Sequence, residues 1–254
     1  MSELSYLIDP SWGIAGFIDV ETTGLNSEKD EIIEFSIVLF AFDQKTGEIK
    51  GIVDEYTGLR EPERRIPKAA SEIHGITRKD VKGRVLDNQK INPMIRRADF
   101  LVSHNAAFDS SFVQNHFGRY EKPWLCSMDG IDWKAKGFRS KALQKLLKDH
   151  NIAVDEAHRA EADVKACLTL LSQKDSEGQY YFKELLKHRE VAATLETMTN
   201  DQCKTKKSHR SFGWVKAILF FTSLIILPFS PWLGVTGVIA SLIIKKNNRN
   251  NYRR

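Results

Sequence analysis

The chain has 254 residues, of which 42% are hydrophobic and 28% charged, with 15 glycines and 7 prolines, so a disordered, collagen-like or low-complexity chain is excluded. Its three cysteines form no CxxC pair, which argues against a disulfide framework and a zinc knuckle and favours a reducing compartment. The formal net charge is +5, but residues 1–200 sum to −4, so the charge does not indicate a basic nucleic-acid-binding domain.

Three apolar runs near the beginning of the chain have the composition of β-strands. They predict strands at Ile14–Glu21, Ile32–Phe42 and Ile49–Thr57, with a turn at QKTGE between the last two. Because strands joined by short turns pair antiparallel, we expect an antiparallel meander.

Helical and extended segments alternate after the meander. Helical patterns occur at Pro67–His74, Asn88–Arg97 and Ala106–Phe117, and extended segments at Phe100–Val102 and Pro123–Met128. Three strands followed by alternating helix and strand predict an α/β fold with a mixed sheet.

Further helices are predicted downstream. We expect Ser140 to cap a helix over residues 141–150, and His158 to open a helix that runs to about Gln173. Tyr180–Glu196 is a further predicted helix. The chain then divides into a folded domain (1–175), a helix and basic linker (176–211), a hydrophobic segment (212–246) and a basic tail (247–254).

The hydrophobic segment contains 28 consecutive uncharged residues, 217–244, which is enough for membrane insertion. Pro228 and Pro231 predict a turn that divides it into two short helices, roughly Trp214–Phe229 and Trp232–Lys246. Basic residues on both flanks favour such a hairpin, with both ends on the cytoplasmic side, over a single kinked span. A buried helix pair that closes the soluble domain is a further alternative. We expect a membrane-associated protein that has the lipid bilayer as a partner and its folded domain on the cytoplasmic side.

Asp19 and Glu21 are candidate metal ligands, because i, i+2 spacing on a strand places both carboxylates on one face. An acid-x-acid triplet is common by chance, and a solvated strand face is the alternative. The surrounding strand is apolar enough to be buried, however, and buried paired carboxylates are costly without a cation. Oxygen ligands of this kind predict Mg²⁺ or Mn²⁺ rather than zinc.

Two later motifs also carry candidate acids. SHNAAFD ends in Asp109 and lies where a short strand gives way to a helix, a place where α/β sheets bind ligands. HRAEAD places His158 at a predicted helix start and Asp163 five residues on. Taken separately, each motif has an alternative interpretation: Asn105 as a helix cap with Asp109 a solvated first-turn acid, and His158 as a surface histidine.

Together and in this order, the DxE, NAAFD and HRAEAD motifs resemble the three-motif pattern of the DEDDh 3′–5′ exonucleases. The segment FIDVETTGL is most similar to the proofreading epsilon subunit of DNA polymerase III. The HGIT sequence at residues 74–77 resembles an element that lies between the first two motifs in that family. The resemblance covers about residues 12–173.

The resemblance implies a ribonuclease H-like fold and the removal of nucleotides one at a time from 3′ ends as nucleoside 5′-monophosphates. It makes His158 the general base, since histidine is the side chain that most readily exchanges a proton near neutral pH. It also implies two groups of residues: Asp19, Glu21, Asp109 and Asp163 as ligands of two Mg²⁺ or Mn²⁺ ions, and Thr22, Thr23, Gly24, Leu25, His74 and Asn105 as the binding site for the terminal nucleotide.

The resemblance ends near Gln173. Nothing after it resembles the polymerase-docking segment of the epsilon subunit or a sliding-clamp peptide, so no polymerase or clamp partner is expected. We therefore expect a membrane-anchored exonuclease that favours single-stranded DNA. An exoribonuclease of the same family, and a catalytically idle scaffold that binds nucleic-acid ends, are the alternatives.

Overall fold

The computed structural model describes residues 12–154 and 157–188, and this part of the chain contains a five-stranded sheet. Its strands are β1 (Trp12–Thr22), β2 (Ile32–Asp43), β3 (Ile49–Leu59), β4 (Phe100–Ser103) and β5 (Trp124–Cys126). The strand order is β3-β2-β1-β4-β5. The first three strands pair antiparallel, whereas β1–β4 and β4–β5 are parallel. The predicted meander and mixed sheet are confirmed, and the architecture is ribonuclease H-like.

Helices flank the sheet. They are α1 (Lys68–His74), α2 (Arg78–Val81), α3 (Asn88–Arg97), α4 (Ala106–Phe117), α5 (Leu143–Asp149) and α6 (Ala160–Leu171). Residues 181–188 are also helical, and the rest of the helix predicted at Tyr180–Glu196 lies outside the described residues. The sequence did not predict α2, since four residues are too short to show a helical period; a capping box between Thr77 and Asp80 forms its first turn.

Two predicted helix starts are wrong. The helix predicted from residue 141 begins at Leu143, because the Ser140 hydroxyl accepts a hydrogen bond from the Ala142 N–H at 3.2 Å instead of capping the helix. His158 does not open α6 either: its backbone is left-handed, with φ of 62°, which is incompatible with a right-handed helix. Helix α6 begins two residues later, at Ala160.

The sheet is covered on both faces, as the buried apolar run of β2 requires. One core contains Phe17 of β1 and Phe40 of β2 with the apolar face of α6. The opposite core contains Ile18 of β1 and Phe35 of β2 with residues of α3 and α4. Since neighbouring strand residues point to opposite faces, odd-numbered residues of β1 and the even-numbered residues of β2 from Glu34 to Phe42 lie on the α6 side.

The predicted hydrophobic segment (212–246) and basic tail (247–254) lie outside the described residues, as does the linker after residue 188. Within 12–154 and 157–188, none of the helices combines the length and the apolar character that a bilayer crossing requires. The hairpin, the single span and the buried helix pair stay predictions.

Candidate active site

Three carboxylates from two elements converge on the α6 side of the sheet. Asp19 and Glu21 lie on that face of β1, and Asp163 lies in the first turn of α6. Each of the three offers a carboxylate oxygen that lies within 4.8 Å of the others, a spacing at which one cation can contact all three. The strand pleat and the packing of α6 therefore bring together acids that are more than 140 residues apart in the sequence.

Asp109 approaches the same place from α4 but lies outside this group of three. It is 3% exposed, and its Oδ1 accepts a hydrogen bond from the backbone N–H of Val20 at 3.2 Å. Val20 is the residue between Asp19 and Glu21, so this bond fixes Asp109 against the strand that carries both acids. The four acids of the predicted ligand set thus occupy one region of the described structure.

Burial raises the pKa values of all four acids, and the charges of neighbouring acids add to the effect at Asp19 and Glu21. Burial raises the pKa of Asp19 well above its ordinary value, and the charges of Asp109, Glu21 and Asp163 add to the effect. Burial, followed by the charges of Asp163 and Glu34, raises the pKa of Glu21 from 4.5 to about 8. Burial also raises the pKa of Asp109 to about 8, against the opposing hydrogen bond from Val20.

The pKa of Asp163 is raised by burial, although the charge of His158 and a hydrogen bond from Gln144 lower it. A set of carboxylates that disfavours its own charged state fits a divalent cation, which would supply the missing positive charge. Because every donor is a hard oxygen, the set suits Mg²⁺ or Mn²⁺.

We expect the metal-free protein to become less stable as the pH rises from about 4.5 to about 8. Folded carboxylates with raised pKa values hold protons that the unfolded chain has already released, so the free energy of unfolding falls across this interval. Urea denaturation in EDTA at several pH values measures the effect. Excess Mn²⁺ should flatten the dependence, and an equally flat profile in EDTA would contradict the raised pKa values.

A fifth buried carboxylate, that of Glu34, lies beside the cluster. Glu34 is opposite Glu21 in the β1–β2 register and is 1% exposed. It accepts hydrogen bonds from Nη2 and Nε of Arg159, at 2.7 and 3.1 Å, and from the Ala160 N–H at 2.9 Å. Glu34 therefore caps α6 from a neighbouring strand and ties the start of that helix to the strand pair that carries Asp19 and Glu21.

His158 immediately precedes this cap and has an exposed side chain. Its φ of 62° turns the chain just before α6, one residue before the Arg159–Glu34 ion pair. Left-handed backbone is uncommon for a residue other than glycine and is retained only where the surroundings determine it. The anchored start of α6 provides such surroundings.

The loop after β1 contains the residues predicted to hold the terminal nucleotide. The Thr22 hydroxyl donates to the Gly24 carbonyl at 2.6 Å, and the Thr23 hydroxyl accepts from the Glu31 N–H at 3.0 Å. A Cβ at Gly24 would lie 2.5 Å from a carboxylate oxygen of Asp30, so the loop needs glycine there. These contacts leave Leu25 at the tip of the loop, 86% exposed.

His74 lies at the end of α1, and its Nδ1 accepts a hydrogen bond from the Ile76 N–H at 3.0 Å. Nε2 is buried near the Thr22 backbone but makes no hydrogen bond of ordinary geometry in the described part of the chain. Burial lowers the pKa of His74, so its imidazole is neutral near pH 7. Gly75, with φ of 73°, ends α1 directly after His74 and so fixes its position.

Asn105 occupies the N-cap position of α4, but its side chain makes no capping hydrogen bond and is exposed. Asn105 is thus the N-cap of α4 by position, without a side-chain cap, and the alternative of Asp109 as a solvated acid is wrong because Asp109 is buried. The structure places Thr22, Thr23, Gly24 and His74 close to the acidic cluster through β1 and the contacts of the Thr22 backbone. The backbone carbonyl of Asn105 accepts a hydrogen bond from the Asp109 N–H at 3.2 Å, and no hydrogen bond between the Asn105 side chain and the four acids is present among the described residues.

Sequence reasoning missed three residues that position the cluster. Glu34 is a lone acid within the apolar strand sequence IIEFSIVLF, a signal that could have marked it. Arg159 directly follows the candidate histidine, but its partner is 125 residues away and the sequence does not reveal it. Gln144 of α5, whose Nε2 donates to Oδ1 of Asp163 at 3.0 Å, has no sequence signal at all.

Comparison with known proteins gives a consistent result. The family profile described as Exonuclease (RNase T) matches residues 17–171. The DNA polymerase III subunit epsilon of Treponema pallidum is 31% identical over 163 residues, covering 61% of this chain and 73% of that protein. The PolC-type DNA polymerase III of Thermotoga maritima is 33% identical over 152 residues, covering 58% of this chain but only 10% of that protein.

Solved structures share the fold at low sequence identity. An exonuclease I in its apo form superposes with a TM-score of 0.52 and 16% identity, covering 72% of this chain and 47% of that one. The zinc-bound form of an E. coli exonuclease I complex with single-stranded DNA gives a TM-score of 0.50 and 16% identity, covering 74% and 43%. The chain spans less than half the length of these structures.

Proposed function

Since this chain belongs to the exonuclease family of the RNase T type, we propose that it is a 3′–5′ exonuclease that releases nucleoside 5′-monophosphates from DNA ends in a reaction that needs two divalent ions. The observation that carries the proposal is the convergence of Asp19, Glu21 and Asp163 within 4.8 Å, with Asp109 fixed beside them. Four carboxylates whose pKa values are raised together have little structural purpose unless cations balance them.

In this proposal Asp19, Glu21, Asp109 and Asp163 hold two Mg²⁺ or Mn²⁺ ions. When bound, such ions activate a water molecule and stabilise the developing charge on the leaving 3′ oxygen. Glu34 and Gln144 keep the ligand-bearing elements in place, Glu34 through the start of α6 and Gln144 through its hydrogen bond to Asp163.

His158 is the proposed general base. Its side chain is exposed next to the start of the helix that carries Asp163, so a water near the cluster can reach it. A positioned histidine contributes roughly a hundredfold to ten-thousandfold to such a proton transfer. The rigid attachment of Arg159 and Ala160 to Glu34 limits how far the adjacent histidine can move.

The loop from Thr22 to Leu25 and His74 form the proposed site of the terminal nucleotide. The exposed Leu25 offers an apolar surface for a base, and Asn105 is a further proposed contact. DNA is the proposed substrate because the two relatives described above are named as a subunit of a DNA polymerase and as a DNA polymerase.

We further propose that residues 212–246 anchor the enzyme in a membrane, as a hairpin that leaves the catalytic domain on the cytoplasmic side. The prediction is that a chain ending at Asn200 moves from the membrane fraction to the supernatant and stays active. Ultracentrifugation of lysates followed by a nuclease assay measures both properties. The anchor assignment fails if the shortened chain still sediments with membranes.

The experiment that tests the nuclease proposal uses the full chain purified in a mild detergent. Matched single-stranded DNA and RNA, each labelled at the 5′ end, are incubated with Mg²⁺, with Mn²⁺ or with EDTA, and Asp163→Ala is the inactive control. We expect a metal-dependent ladder that shortens from the 3′ end, faster on DNA, with mononucleotides as product. A ladder on RNA alone would show that the substrate is RNA and not DNA. Binding of the oligonucleotides without hydrolysis would favour the scaffold alternative.

A further inference from the structure

A basic segment stands out on the otherwise acidic domain. Residues 60–84 contain eight basic and four acidic residues, a net charge of +4, although residues 1–200 as a whole sum to −4. This segment runs from the end of β3 through α1 and α2, so it includes His74 and the elements beside the proposed nucleotide site. The positive charge is therefore local to one side of that site.

Five cations of this segment are available to a partner. Arg60, Lys68 and Arg78 form ion pairs with acids. The other five are exposed and form no ion pair within the part of the chain that the structure describes; we name them the basic surface: Arg64, Arg65, Lys79, Lys82 and Arg84.

Hydrogen bonds between two chain segments make the basic surface rigid. The guanidinium of Arg78 donates to the Arg64 carbonyl at 3.0 Å and pairs with Glu61 at 2.7 Å. Glu61 in turn accepts from the Gly83 N–H at 2.6 Å, and its own N–H donates to the Arg84 carbonyl at 2.9 Å. The cations are thus held on a preformed framework, which reduces the entropy lost when a ligand binds.

A cavity of about 520 Å³ lies beside the basic surface and is bordered by Arg159, the N-cap residue of α6. Lys79, Arg84 and Arg159 line it, with Asp80 as its acidic residue. Arg159 is also the partner of Glu34, which lies opposite Glu21 in the sheet. The same guanidinium therefore borders both the cavity and the group that supports the metal ligands.

We propose that the basic surface and this cavity bind the sugar-phosphate backbone of the substrate strand, on the 5′ side of the nucleotide being removed. This inference rests on the proposed nuclease function. Lys and Arg bind phosphates through charge-assisted hydrogen bonds, and a groove of such residues can follow a strand without reading its sequence. An anionic lipid surface would also attract these charges, but a cavity bordered by Arg159, the partner of Glu34, suits a strand that must continue into the catalytic site.

The test separates strand binding from catalysis. Lys79→Glu and Arg84→Glu are compared with the wild type and with Lys45→Glu, which reverses an exposed lysine in the turn between β2 and β3, at the opposite end of β2 from Glu34. The full chain in detergent is assayed on a single-stranded oligonucleotide and on thymidine 5′-(p-nitrophenyl phosphate), a diester with no upstream strand. Oligonucleotide affinity is also measured by fluorescence anisotropy in EDTA, with increasing salt.

We expect each of the two variants to raise KM and Kd for the oligonucleotide about tenfold and to reduce the slope of log Kd against log salt by roughly 0.7 per lost phosphate contact. Their kcat on both substrates and their KM for the small diester should stay at the wild-type values, as should every parameter of Lys45→Glu. Unchanged oligonucleotide affinity, or an equal loss in Lys45→Glu, would overturn the inference.

Two further outcomes distinguish the inference from its alternatives. If the wild type hydrolyses neither substrate, the nuclease proposal fails, while the anisotropy comparison still decides whether the basic surface binds the strand. If Lys79→Glu loses binding to vesicles that contain phosphatidylglycerol but keeps its oligonucleotide affinity, the surface faces lipid and the inference is wrong.

Discussion

The Asp19→Asn variant should lose all detectable hydrolysis and yet, in EDTA at about pH 8, unfold at a higher temperature than the wild type. Burial raises the pKa of Asp19, and the charges of Asp109, Glu21 and Asp163 add to the effect. Replacing its carboxylate by a neutral amide of similar shape relieves this repulsion, and each 1 kcal/mol gained raises Tm by about 2–4 °C in a domain of this size. The same change removes a metal ligand that the amide replaces poorly.

Calorimetry with and without Mn²⁺ measures both parts of this prediction. Wild-type Tm should rise when Mn²⁺ is added, because a ligand that binds only the folded state stabilises it, whereas the variant should show little or no rise. Asp149→Asn, at an exposed acid on α5, is the matched control and should behave like the wild type. A variant that retains activity and the Mn²⁺-dependent rise in Tm would refute the metal assignment.

The Glu34→Gln variant should lower kcat by about tenfold to a hundredfold while leaving KM within a factor of about two, an effect typical of a lost positioning interaction. The Glu34 carboxylate accepts two hydrogen bonds from Arg159 and one from Ala160. The amide can still accept the Ala160 N–H, but its NH₂ group cannot accept from the guanidinium. The start of α6, with His158 before it and Asp163 after it, should then be held less precisely.

Glu34→Gln is tested by kcat, KM and the Mn²⁺ concentration that gives half-maximal activity. The last value should rise, since Asp163 is carried by the loosened helix. The matched control is Glu55→Gln on β3, which removes an exposed acid paired with Lys165 on the same helix and should change none of the three. If Glu34→Gln lowers only the free energy of unfolding and leaves kcat at the wild-type value, Glu34 has no positioning role.

The sequence by itself determined the sheet and the acids that face α6. Apolar runs of strand composition, with a short turn between the last two, predict an antiparallel meander, and the pleat of β1 places Asp19 and Glu21 on one face wherever that strand lies in the sheet. The sequence also indicates that two carboxylates in an apolar strand are buried, and burying charged groups without a cation is energetically costly. The order of the three motifs then indicated the family, which the profile match to residues 17–171 confirms.

Only the tertiary structure decided where the helix that carries Asp163 begins and which hydrogen bonds hold it in place. The start of α6 was misplaced because its cap is the carboxylate of Glu34, 126 residues away, and because the chain makes a left-handed turn at His158 directly before that contact. The hydrogen bond from Gln144 to Asp163 likewise joins two helices whose packing the local pattern does not encode. The sequence pattern reflects only the local preferences of the backbone. These contacts form when folding brings distant polar groups together in a buried environment, where each group needs a hydrogen-bond partner.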